Sequence, residues 1–140
     1  MDEAFIKKVQ PNSPEAEQSV IGAMIMDRDA IADVIDIVSA DDFYQKQNGI
    51  LFEAMTELYR EGKPVDLVTL QNKLKKKDVP ESMKSLEFIR DLLEAVPTSA
   101  NAKQYAKIVS EKATLRKLIK VTEDITTAVS YTHLRAHETD

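Results

Sequence analysis

The 140-residue sequence contains no cysteine, no tryptophan and only three glycines. Without cysteine there is no disulfide framework, no thiolate zinc site and no cysteine nucleophile, which fits a cytosolic protein. Gly22, Gly49 and Gly62 lie too far apart to build either G-x-x-x-x-G-K-[ST] or G-x-G-x-x-G, so a self-sufficient nucleotide-driven enzyme is excluded. Both histidines, His133 and His137, fall in the last ten residues. Upstream of them no histidine general base exists, and Ser19 or Ser39 has no histidine to activate it. The longest apolar run, Val20 to Met26, is far short of the roughly 20 residues needed to cross a bilayer. The acidic start Met1-Asp2-Glu3 lacks the apolar stretch of a signal peptide. Together these absences predict a soluble, untargeted, cytoplasmic protein with no membrane contact.

What is present is helical. Residues 1–12 read as a flexible arm ended by Pro11. Ser13-Pro14-Glu15 supplies an N-cap, a first-turn proline and a carboxylate at the positive helix end. A first helix then carries Ala16, Val20, Ile21, Met24 and Ile25, and a second, from near Asp29, carries Ile31, Val34, Ile35 and Val38. Lys46 to Glu61 reads as a third, with Leu51, Ala54, Met55 and Leu58 on one face, stopped by Gly62 and Pro64. Asp66 caps a fourth, Leu67 to Lys77, before Pro80. A fifth, near Ser82 to Ala95, aligns Leu86, Ile89, Leu93 and Val96, and Pro97 breaks it. Ser99 caps a last helix from Ala100 to about Ser130, roughly 45 Å long. The expected fold class is all-α: a compact bundle of about five short helices followed by one long helix.

At about 100° per residue, Val109, Leu115, Leu118 and Ile119 spread over roughly half the circumference of that last helix. Either the helix is central to its own domain, or it has a second apolar partner, another chain or a following helix. Residues 131–140 read as a non-native tail, because the stretch from Ser130 to Thr139 resembles a translated sequencing adapter. His133 and His137 have the i, i+4 spacing of a metal-binding pair. Leu134 breaks the H-E-x-x-H pattern, and no carboxylate at ligand spacing completes a site, so no metal site is expected.

The net charge is −5, which argues against strong phosphate binding by the domain as a whole. Asp27, Asp29, Asp33, Asp36, Asp41 and Asp42 face Arg28 alone. They match no EF-hand loop and read as capping aspartates on a solvated face. Positive charge gathers in Lys73, Lys75, Lys76 and Lys77, and in a stripe of Lys112, Arg116 and Lys120 on one helix face. The stripe suggests an alternative function, a helical nucleic-acid-binding module. It lacks interleaved aromatics and is interrupted by Glu111, Glu123 and Asp124, so a solvated face is the simpler reading.

Seven local sequences in order carry a more specific signal. Ser13-Pro14-Glu15-Ala16-Glu17-Gln18-Ser19-Val20-Ile21-Gly22 resembles the opening signature of the bacterial replicative DNA helicase (DnaB) family. Asp42-Phe43-Tyr44, Phe52-Glu53-Ala54-Met55, and Pro64-Val65-Asp66-Leu67-Val68-Thr69-Leu70 are similar to its next blocks. Pro97-Thr98-Ser99-Ala100-Asn101, Tyr105-Ala106 with Ile108-Val109, and Leu115-Arg116 with Leu118-Ile119 complete the series. Two places depart from the pattern: Asn48-Gly49 stands where the family usually has His-Arg, and Ser82-Met83-Lys84 where it usually has Gly-Gly.

The resemblance implies a helical globule over residues 13–99 and the first arm of a helical hairpin over 100–130. It implies dimers, three of which cap a hexameric ring, and docking of primase, with a helicase loader as a further partner. The ATP- and Mg-dependent motor, which makes most DNA contacts, would lie beyond residue 130. No catalysis and no cofactor are then expected of this piece, and the missing glycine loop reads as truncation. By position in the matched motifs, Glu15, Phe88, Leu118, Ile119 and Ile125 are the expected partner contacts. Phe88 sits about 130° from the centre of the Leu86–Ile89–Leu93 stripe, which fits a contact role. Glu15 also reads as helix-end charge compensation, and Ile119 and Ile125 as ordinary core.

Overall fold

The computed structural model describes residues 9–94 and 101–138. Among them are six α-helices and two short 3-10 turns, and no strand. Helix α1 spans Pro14–Met26, α2 Arg28–Ile35, α3 Lys46–Arg60, α4 Leu67–Lys75, α5 Leu86–Glu94 and α6 Ala102–Glu138. The 3-10 turns are Ala40–Asp42 and Glu81–Lys84.

Local chemistry explains most boundaries. The Ser13 hydroxyl accepts the Ala16 N–H at 3.2 Å, with Pro14 in the first turn. Asp27 ends α1 and starts α2, its carboxylate accepting the Asp29 N–H at 3.0 Å, so one residue turns the chain. Asp66 and Thr69 form a reciprocal capping box at the start of α4. At the end of α3, Gly62 takes φ +73°. This lets the Lys63 N–H reach back to the Leu58 carbonyl at 3.0 Å, the helix stop that favours glycine.

Three boundaries differ from expectation. The fifth helix begins at Leu86 rather than near Ser82, because Pro80 starts a 3-10 turn that buries Met83. The Ser85 hydroxyl then accepts the Phe88 N–H at 3.2 Å. The fourth helix stops at Lys75, with Lys76 as its cap, rather than at Lys77. The last helix runs on to Glu138 without a break at Ser130, since nothing between Ser130 and Glu138 is glycine or proline. Val96, Pro97 and Ser99 lie outside the described residues, as do residues 1–8 of the expected arm.

Helix α1 is the hub, with α2, α3, α5 and α6 all packed on it. It contributes Ala16, Val20, Ile21, Ala23 and Met24 to a continuous core with Ile31, Val34, Leu51, Met55, Leu70, Leu74, Ile89 and Val109. Leu92 is buried in this core.

Helix α3 has no side-chain cap of its own and takes charge from its neighbours at both ends. Glu17 of α1, only 1% exposed, accepts the Tyr44 N–H at 2.7 Å, the Gln45 N–H at 3.2 Å and the Asn48 side-chain amide at 3.1 Å. A carboxylate thus occupies the positive end of α3 and satisfies donors the helix leaves free. At the other end Arg28 of α2 donates to the Lys63 carbonyl at 2.7 Å and lies 4.8 Å from the Tyr59 ring centre.

Between α3 and α4, Glu57 pairs with Lys73 and Lys77, and Glu61 with Lys63 and Lys73. The hydrogen bond from Lys77 holds the Glu57 carboxyl below its ordinary range against the opposing effect of burial, and Lys73 adds to the lowering. Lys73 and then Lys63 lower Glu61, and Lys73 is raised chiefly by Glu61. Half of the expected lysine cluster is therefore neutralised in place.

Gly49 shows what one departure from the family pattern does. A β-carbon there would stand 2.8 Å from the Ala40 carbonyl oxygen, so α3 and the 3-10 turn touch through bare backbone. Gly49→Ala should lower stability by about 1–3 kcal/mol, although alanine is intrinsically the better helix former by about 1 kcal/mol. Thermal melting checks this; a raised melting temperature would show that the turn yields.

Candidate interaction surface

Helix α6 presents two apolar faces at different heights. In its first third, Ala102, Ala106, Val109 and Ala113 are buried against the globule, where small side chains let the backbone come close. At about 100° per residue these four fall within an arc of about 60°. Past Ala113 the burial ends, and every residue from Lys120 to Thr132 is exposed.

A second apolar row starts there. Leu118 (56% exposed), Val121, Ile125 (58%) and Val129 (62%) fall within about 80° of arc, centred about 130° round from the buried face. Of the wide apolar spread seen in the sequence, Val109 falls in the first stripe and Leu118 in the second, and Leu115 and Ile119 lie between them. The first covers the helix's own globule, and nothing among the described residues covers the second. An exposed apolar row of this kind makes a candidate interaction surface.

The expected contact residues sit on three elements. Leu118 and Ile125 lie in the exposed row, while Ile119 is half-buried and displaced about 110° from their mean direction. Glu15 is exposed in the first turn of α1, where its charge also suits the helix end. Phe88 on α5 is half-buried and packed against the core, so its ring serves the fold as well as any contact. Val121 and Val129 were missed in the sequence. The i, i+3, i+7 continuation from Leu118 through Val121 and Ile125 was the available signal.

Arg116 marks the point where α6 leaves the globule. Its guanidinium donates to the Pro11 carbonyl at 2.8 Å and to the Asp42 carbonyl at 2.7 Å, and lies 5.4 Å from the Tyr44 ring centre. Lys117 adds a longer ion pair to Asp42 at 3.7 Å. The segment before α1, read as a flexible arm, is therefore tied to α6 at Pro11. The central cation of the Lys112–Arg116–Lys120 stripe is turned inward to these carbonyls, which removes it from any phosphate-facing row. Among the described residues no group of three acidic or histidine side chains is placed to hold a metal. The side chains of His133 and His137 lie outside what is described. Among the described residues no helix is long and apolar enough to cross a membrane.

Comparison with known proteins agrees with this architecture. Residues 9–111 match the family described as DnaB-like helicase N terminal domain. The replicative DNA helicase DnaB of Geobacillus stearothermophilus is 38% identical over 125 residues, which cover 89% of this chain and 28% of the relative. The chain thus spans little more than a quarter of that relative's length. The crystal structure of the N-terminal domain of DnaB helicase from Mycobacterium tuberculosis superposes with a TM-score of 0.79 at 37% identity, covering 89% of this chain and 88% of that one. The fold is also that of the N-terminal domain of DnaB helicase from Helicobacter pylori, whose structure is described with its interactions with primase. That likeness has a TM-score of 0.71 at 23% identity and covers 93% of this chain and 99% of that one. The chain belongs to the DnaB-like helicase N-terminal domain family.

Proposed function

We propose that this chain is the assembly and primase-interaction domain of a hexameric, ATP-dependent replicative DNA helicase, and performs no catalysis itself. The exposed apolar row on α6 carries the reading. A helix that projects past its own globule with Leu118, Val121, Ile125 and Val129 uncovered fits association with another helix or chain. The names of its relatives, replicative DNA helicases, and the primase interactions of the Helicobacter pylori domain support the same reading. In this proposal the domain pairs into dimers, three of which cap the hexamer. Primase docks on Glu15, Phe88, Leu118, Ile119 and Ile125, and a helicase loader is a further partner. ATP and Mg belong to a motor domain, which makes most of the DNA contacts; this chain has no pair of glycines close enough for a phosphate loop. The assembly works in the cytoplasm at the replication fork.

The test is a Leu118→Asp, Ile125→Asp double substitution. Both side chains are more than half exposed, so the melting temperature should hold. Self-association in sedimentation and primase binding in a calorimetric titration should both fall by at least about tenfold, since each buried apolar anchor replaced by a charge costs on the order of 2 kcal/mol or more. Unchanged binding would refute the assignment. Steep loss of partner binding with rising salt would point instead to phosphate contacts.

A further inference from the structure

A second surface lies on the globule, and none of its lining residues belongs to α6. Two adjoining clefts of about 300 and 410 Å³ run between α3 and the segment from Ile35 to Tyr44, meeting at Ala40 and Glu53. Val38 and Phe52, both buried, lie at the base of one, and half-buried Ile50 lies in the other. Thr56 lines the first cleft, and its hydroxyl is the one buried side-chain polar atom among the described residues without a hydrogen-bond partner. A buried orphan of this kind calls for an explanation.

The charges along the α3 wall are ordered. Lys46, Glu53 and Arg60 are all exposed and stand seven residues apart, so they form one row that drifts only about 20° per step. None has an ion pair or side-chain hydrogen bond among the described residues. The row reads plus, minus, plus over about 21 Å.

We propose that this trough docks one amphipathic helix of a partner protein, bearing acid, base and acid at seven-residue intervals with apolar residues between them. Only a helix laid along α3 keeps that register. In an extended strand the spacing of about 10.5 Å is about three residues, an odd number that turns every second charge away from the wall. The pattern is symmetric, so either helix direction satisfies it. No stretch of this sequence carries acid, base and acid at that interval, so the occupant is not a second copy of it. The site stands independently of the α6 row.

The probe is a synthetic amphipathic peptide of about 18 residues, long enough to span the row, with Glu, Lys and Glu at seven-residue intervals. Its control carries Lys, Glu and Lys at the same positions. Titrated into the isotope-labelled full chain at low salt, the first peptide should shift amides between residues 35 and 60 and bind about fivefold tighter than the control. Lys46→Glu combined with Arg60→Glu, exposed changes that leave the core untouched, should reverse the preference. Equal affinities, no reversal, shifts confined to residues 115–129 or no binding would each overturn the proposal.

Discussion

Glu17→Gln should destabilise the globule by about 2–3 kcal/mol, because hydrogen bonds to a charged group are worth more than neutral ones and buried donors left without acceptors are costly. The carboxylate is 1% exposed and serves three donors at the start of α3. An amide of the same shape keeps one acceptor and turns two hydrogens toward those donors. Asn48 can rotate its own amide to accept, but the Tyr44 and Gln45 backbone N–H groups cannot. The cost therefore falls on the backbone amides and on the lost negative charge at the helix end. Urea denaturation followed by circular dichroism should show a lower midpoint with an unchanged slope. An unmoved midpoint would show that water replaces the lost acceptor.

Arg116→Ala is expected to cost about 2 kcal/mol, from two charge-assisted hydrogen bonds and a ring contact at a partly exposed site. Its larger effect falls on α6, which loses the tie to Pro11 and Asp42 where it leaves the globule. Lysine should not restore it, since one ammonium lacks the planar fork that reaches two carbonyls while lying over a ring. The absence of cysteine makes the measurement simple. Spin labels at Gln47→Cys and Thr127→Cys should give a single distance in the parent and a broadened distribution in both Arg116 variants. An unbroadened distribution would show that the Ala102–Ala113 contacts alone set the direction of α6.

Much of the fold was legible because its signals are local. Ser13-Pro14, Asp66 with Thr69, and Gly62 before Pro64 mark boundaries through bonds spanning only a few residues. The fifth helix was misplaced where two local signals competed: Ser82 resembles a helix start, yet Pro80 sets a 3-10 turn and Ser85 makes the bond to Phe88. The partners of Glu17, Arg28 and Arg116 could not be read from the sequence, because they lie 27 to 105 residues away. Nothing local separates a carboxylate that turns into the core from one that stays in water. Glu15 and Glu17, two residues apart in the same first turn, end respectively exposed and buried. Leu118 and Ile125 came from their position in the family motifs, while the periodicity of the helix left Val121 and Val129 unread. Arg116 was assigned to a solvated stripe because periodicity gives direction round a helix, and only the tertiary fold decides what stands there.

The two faces of α6 separate two kinds of change. Ala102, Ala106, Val109 and Ala113 meet the globule, whereas Leu118, Val121, Ile125 and Val129 stay more than half exposed. If the proposed function holds, substitutions in the first set act on folding and those in the second on association, with no side chain common to both. Affinity for a partner can therefore drift through evolution, or be redesigned, without drawing down the stability of the domain.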